Sequence, residues 1–122
     1  MTKGEELIKK FEDLVGVNIN LYLKYEQKYK EYKIRAKVDN IKFKLTFEQF
    51  YLAVTSDCYI CGISGRTNEI GVDRLINTKG YTYYNITGCC WNCNRMKSDM
   101  TFSQLKEYIT RINPNHRLAN KG

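Results

Sequence analysis

Two Cys-x-x-Cys pairs, Cys58/Cys61 and Cys90/Cys93, constrain this chain more than any other feature of its sequence. Each pair turns two thiolates toward one point, and two pairs complete a closed tetrahedral site for one structural Zn2+ ion. Such a site leaves no position for water, so its expected work is to hold the fold. A fifth cysteine, Cys89, adjoins Cys90 but is out of register with Cys93. Cys90 is therefore the expected ligand and Cys89 a spare, either a buried small hydrophobe or an unliganded thiol. An odd cysteine count with paired spacing points to metal and not disulfides, and so to a reducing, cytoplasmic setting. The opening residues MTKGEELIKKFEDL carry early charges and no long apolar run, which fits neither a signal peptide nor a membrane span.

Between the pairs, residues 71–76 have the pattern of a strand, Asn77-Thr78-Lys79-Gly80 that of a turn, and residues 81–86 that of a returning strand. Gly80 is expected to supply a positive φ. A short helix over residues 91–98 starts inside the second cysteine pair. The fold class is α+β: a hairpin, a zinc knuckle and a helix, flanked by N- and C-terminal helices. Apolar spacing predicts helices over residues 5–15 and 21–38, and IKFKL at 41–45 suggests a short strand or extended link. Thr46 with Gln49, and Thr101 with Gln104, stand in capping-box register and open two further helices. Asn113-Pro114 ends the last helix, and the remainder is expected to be a mobile basic tail. The organisation expected is a basic helical region over 1–45, a zinc-stabilised domain over 46–113 and a tail over 114–122.

The net charge of +7 implies a polyanionic partner, because Lys and Arg gather at phosphates and gain from counterion release. Residues 21–38 set Tyr22, Tyr25, Tyr29 and Tyr32 along one face among Lys28, Lys33, Arg35 and other cations. Packing is the favoured reading for the tyrosines and contact with nucleic-acid backbone for the cations.

The run Val72-Asp73-Arg74, Asn85, and Cys89-Cys90-x-x-Cys93-Asn94-x-Met96-Lys97-Ser98-Asp99 resembles the HNH, or ββα-metal (His-Me finger), endonucleases, especially the zinc-stabilised type of phages and mobile elements. The likeness covers residues 58–112 and leaves 1–57 unmatched. It implies a ββα-metal core in which Asp73 and Asn94 hold one catalytic ion, Mg2+ or Mn2+. It further implies that Asn85 shapes the hairpin and orients the general base, and that Lys97 contacts phosphate, with Arg95 and Lys79 beside the DNA. Where the family has its catalytic His, this chain has Arg74, which cannot accept a proton and suits stabilisation of phosphate charge. His116, the one histidine, lies in the expected tail. Tyr81, Tyr83 and Tyr84 are the candidate substitutes. The activity implied is metal-dependent hydrolysis of phosphodiester bonds in double-stranded DNA, with specificity from the basic helix, a homodimer or a partner protein. The alternative is a zinc-stabilised DNA- or RNA-binding module that does not cleave.

Overall fold

The computed structural model describes residues 1–120. Helix α1, Lys3–Val15, starts at a capping box between Thr2 and Glu5 and ends where Gly16 takes φ 79°. That left-handed value favours glycine. Helix α2, Ile19–Val38, is capped by Asn18, whose side chain accepts from the Leu21 N–H.

The tyrosine row of α2 is packed. Tyr25 is fully buried, and its hydroxyl donates to the Gly65 carbonyl at 2.6 Å while accepting from the Ile70 N–H at 3.2 Å. The Tyr29 hydroxyl donates to the Leu45 carbonyl at 2.6 Å, and that of Tyr32 accepts from the Val72 N–H at 3.2 Å. Each ring thus supplies buried apolar area, and each hydroxyl satisfies a backbone group that burial would otherwise leave unpaired. The cations of α2 are left toward solvent.

Strand β1, Phe43–Lys44, leads to α3, Phe47–Val54, which opens with the expected Thr46/Gln49 capping box. One core joins Val17, Leu21 and Tyr25 to Phe50 and Val54 of α3 and to Ile70 and Val72. Next come β2 (Gly71–Arg74), β3 (Tyr81–Thr82), a single 3-10 turn over Tyr83–Asn85, and β4 (Ile86–Cys89). Helix α4, Trp91–Lys97, and helix α5, Phe102–Ile112, complete the order.

The hairpin differs from expectation in its second strand. β2 pairs antiparallel with β4, placing Gly71 opposite Cys89 and Asp73 opposite Thr87. Residues 81–82 instead pair parallel with β1. The chain leaves the hairpin because the Tyr81 N–H donates to the Lys42 carbonyl at 2.8 Å. Gly80 permits this by its size, since a Cβ there would lie 2.5 Å from the Lys42 oxygen, and not by the positive φ expected of it.

A second cluster, Cys58, Tyr59, Ile60, Cys89, Leu105 and Ile109, lies where α5 covers the cysteine knuckles. The segment after α5, expected to be mobile, is bound to that cluster as far as it is described. His116 Nε2 lies 2.6 Å from the Ile60 carbonyl, Arg117 Nη2 donates to the Cys58 carbonyl at 2.7 Å, and Ala119 is buried. These carbonyls sit in the first knuckle, whose backbone has acceptors left over for donors from the tail. Lys121 and Gly122 lie outside the described residues. Among the described residues no helix is long and apolar enough to cross a membrane.

Candidate functional site

The sulfurs of Cys58, Cys61, Cys90 and Cys93 all lie within 4.8 Å of one another, and Cys61 and Cys90 approach to 3.7 Å. A tetrahedron with zinc–sulfur bonds of about 2.3 Å has edges of roughly 3.8 Å, so the donor set fits zinc in type and spacing. Local structure builds it. Cys90 is the N-cap of α4 and accepts from the Cys93 N–H at 3.4 Å, while Cys58 accepts from the Cys90 N–H at 3.4 Å. Burial opposes ionisation of Cys58, but hydrogen bonds from Cys90, Cys61 and Ile60 outweigh it and bring the thiol to about 7. Cys89 stands outside the cluster, is 3 % exposed, and is pushed well above the ordinary thiol range by burial.

Asp73 is the half-buried acid of the hairpin. Its side chain is on the face that meets α4, where Oδ2 accepts from Lys97 Nζ at 2.7 Å and from the Tyr59 hydroxyl at 3.0 Å. Lys97 is 4 % exposed. This corrects the expectation that Lys97 meets phosphate from the surface. The last turn of α4 points inward there, and a buried ammonium requires a counter-charge, which Asp73 supplies. Tyr59 is pushed far above the ordinary phenol range by burial and then by the Asp73 charge, so it remains a donor.

Asn94 lies one turn before Lys97 and is exposed. It lines a cavity of about 240 Å³ with Lys28, Tyr32, Glu69 and Trp91, and no hydrogen bond joins it to Asp73. The α4 side chain that Asp73 holds directly is Lys97. A carboxylate and an amide oxygen remain the right donor types for a hard divalent ion. Lys97 and Tyr59 both bind Oδ2, which leaves Asp73 Oδ1 without a protein partner among the described residues.

Asn85 closes the loop between β2 and the 3-10 turn. Its Oδ1 accepts from the Ile76 N–H at 3.0 Å, and its Nδ2 donates to the carbonyls of Ile76 at 3.1 Å and Gly80 at 2.9 Å. Arg74 was expected at phosphate. Its Nη1 instead donates to the carbonyls of Asn77 at 2.9 Å and Lys79 at 3.0 Å, and its guanidinium lies 5.2 Å from the Tyr81 ring centre. Arg74 braces the loop because its side chain leaves β2 opposite the loop's unpaired carbonyls. Burial raises the Tyr81 pKa, with Arg74 opposing, which disfavours Tyr81 as a base at neutral pH. Tyr83 and Tyr84 are exposed on the 3-10 turn.

The remaining expected contact residues are spread out. Arg95 lies over the Trp91 ring at 4.6 Å, and Lys28 reaches the Asn94 cavity. Lys33 and Lys79 are exposed on other faces, and Arg35 pairs with Asp39 at 3.4 Å. Sequence reasoning missed Tyr59 and Trp91. Each is the first residue between the cysteines of its pair, a position that a knuckle must turn either inward or outward.

A hairpin laid against a short helix that rises from a four-cysteine knuckle is the ββα fold of the HNH nucleases, here in a mixed α+β chain. The structure of the rare-cutting HNH restriction endonuclease PacI superposes with a TM-score of 0.58, covering 75 % of this chain and 78 % of that one. At 24 % identity the likeness shows the fold alone. The uncharacterised protein R423 of Acanthamoeba polyphaga mimivirus is 35 % identical over 83 residues, which are 66 % of this chain and 16 % of R423. The chain thus spans about a sixth of that relative's length. No family model matches the chain.

Proposed function

We propose that this chain is an HNH-type endonuclease that binds double-stranded DNA and hydrolyses its phosphodiester bonds, with zinc as its frame. The observation that carries this reading is the placement of Asp73. The acid stands on the hairpin strand that faces α4 and is held by Lys97, which lies one turn along α4 from Asn94, in a chain whose four-cysteine cluster fits zinc. The fold shared with an HNH restriction endonuclease supports it.

In this reading Asp73 and Asn94 would hold Mg2+ or Mn2+, whose Lewis acidity stabilises charge developing on the scissile phosphate. The chain's own residues prepare the place. Tyr59 and Lys97 fix the orientation of the Asp73 carboxylate, and Asn85 and Arg74 hold the loop over residues 75–85 in one shape. Water is the nucleophile. Arg74 cannot accept a proton, so the base is another group, and the exposed Tyr83 and Tyr84 are the candidates to test by substitution. Lys28, Arg95 and the other exposed cations draw the duplex in.

A second reading has its own observation. The Asp73–Lys97 pair is charge-compensated and nearly closed to solvent, which suits a DNA-binding module that does not cleave. Supercoiled plasmid separates the two. Nicking in Mg2+ or Mn2+ that disappears in Asn94→Ala, with zinc content intact, supports the nuclease. Salt-sensitive binding without nicking under either metal supports the binding module.

A further inference from the structure

The cavity beside α4 shares Asn94 with the proposed Asp73 site, but its other contents serve neither that site nor the zinc frame. Trp91, the single tryptophan of the chain, is 65 % exposed at the start of α4. An indole of that size is ordinarily well buried. Here the Arg95 guanidinium, 4.6 Å from the ring centre, holds the ring in place. Trp91 forms one side of the cavity of about 240 Å³, with Lys28 and Tyr32 of α2, Glu69, and Asn94 as other parts of its lining. That volume is below the roughly 300 Å³ at which drug-sized sites begin.

The lining is mixed in a way that discriminates between ligands. Phosphate is disfavoured inside the cavity, because Glu69 shares it with Lys28. Tyr32 is a wall, since its hydroxyl is engaged by the Val72 N–H. What remains is an aromatic face, the Asn94 amide nitrogen that can donate, and a carboxylate that accepts from an amino group. These are the partners of a nucleobase: a π surface for its face and polar groups for its edge. Arg95, over the Trp91 ring and outside the lining, matches a phosphate beside the base, in a chain of net charge +7.

We propose that this cavity takes one unpaired DNA base, stacked on Trp91 with its polar edge toward the Asn94 amide nitrogen and Glu69, while Arg95 meets a flanking phosphate. The proposal rests on DNA being the partner and adds what part of the DNA is gripped. A fully paired duplex keeps its bases inside the stack and would meet only the exposed cations.

The single indole makes the test direct. Protein is titrated with two fluorescein-labelled duplexes of one sequence, one fully paired and one carrying a single bulged nucleotide, and both label anisotropy and tryptophan emission are read. The expected result is binding to both, with indole quenching confined to the bulged duplex. Trp91→Ala should weaken bulge binding by roughly 5- to 150-fold, the range for one stacked base, and paired-duplex binding less than twofold. Trp91→Tyr should restore most of the difference. Circular dichroism and zinc content check that the variants are folded. A rise in anisotropy without quenching, or an equal loss on both duplexes, overturns the stacking proposal and leaves the nuclease reading standing. No anisotropy change with either duplex overturns both.

Discussion

Asp73 and Lys97 form the most consequential pair in the molecule, and neither can be altered alone without cost. With Nζ 2.7 Å from Oδ2 and Lys97 almost wholly buried, removal of one partner leaves an unpaired charge in the interior. Lys97→Met should destabilise the fold by about 3–5 kcal/mol, read as a lower urea midpoint at unchanged slope. The double variant Asp73→Asn, Lys97→Met should recover much of that loss, giving a large coupling energy in the double-mutant cycle. Additive effects of the two changes would show that the pair is not a unit. Asp73 could be picked out in the sequence by its frame relative to the cysteines. Its partner could not, because residues 73 and 97 meet only once α4 is laid on the hairpin, and an N-x-x-K spacing on a helix reads equally as surface.

At the scale of elements, short-range chemistry was legible and long-range pairing was not. Both expected capping boxes, at Thr46 and Thr101, are present because their partners lie three residues apart. The register of Cys90 with Cys93 was readable for the same reason. Zinc content should be about one ion per chain, retained in Cys89→Ser and lost in Cys90→Ser, as measured by metal analysis after gel filtration. Retention in both would move the ligand assignment. The β1–β3 pairing escaped notice because two-residue strands carry no periodicity. Asn85 is what makes the resulting loop one structure, with three hydrogen bonds from a side chain 6 % exposed. Asn85→Ala should cost about 2–4 kcal/mol, the net worth of those bonds plus the groups left unpaired. A loss under 1 kcal/mol would mean that Arg74 suffices to brace the loop.

Across the whole molecule, two clusters divide the labour. The aromatic core under α2 and α3 carries the hairpin, and the cysteine cluster under α5 and the 113–120 segment carries α4. Asp73 lies between them, so its contact with α4 draws on both. The chain carries a net charge of +7 with exposed cations on several faces, so affinity for DNA should fall steeply with salt whether or not the chain cleaves. Binding alone therefore does not decide the function, and cleavage does. The decisive measurement is conversion of supercoiled plasmid to the open-circular form in Mn2+ at low salt, by the wild-type chain and by Asp73→Ala verified as folded and zinc-loaded. Nicking by the wild type and none by Asp73→Ala is the result expected of an HNH-type nuclease built on this acid. A wild-type chain that binds the plasmid and leaves it supercoiled, or an Asp73→Ala variant that nicks as fast as wild type, would contradict it.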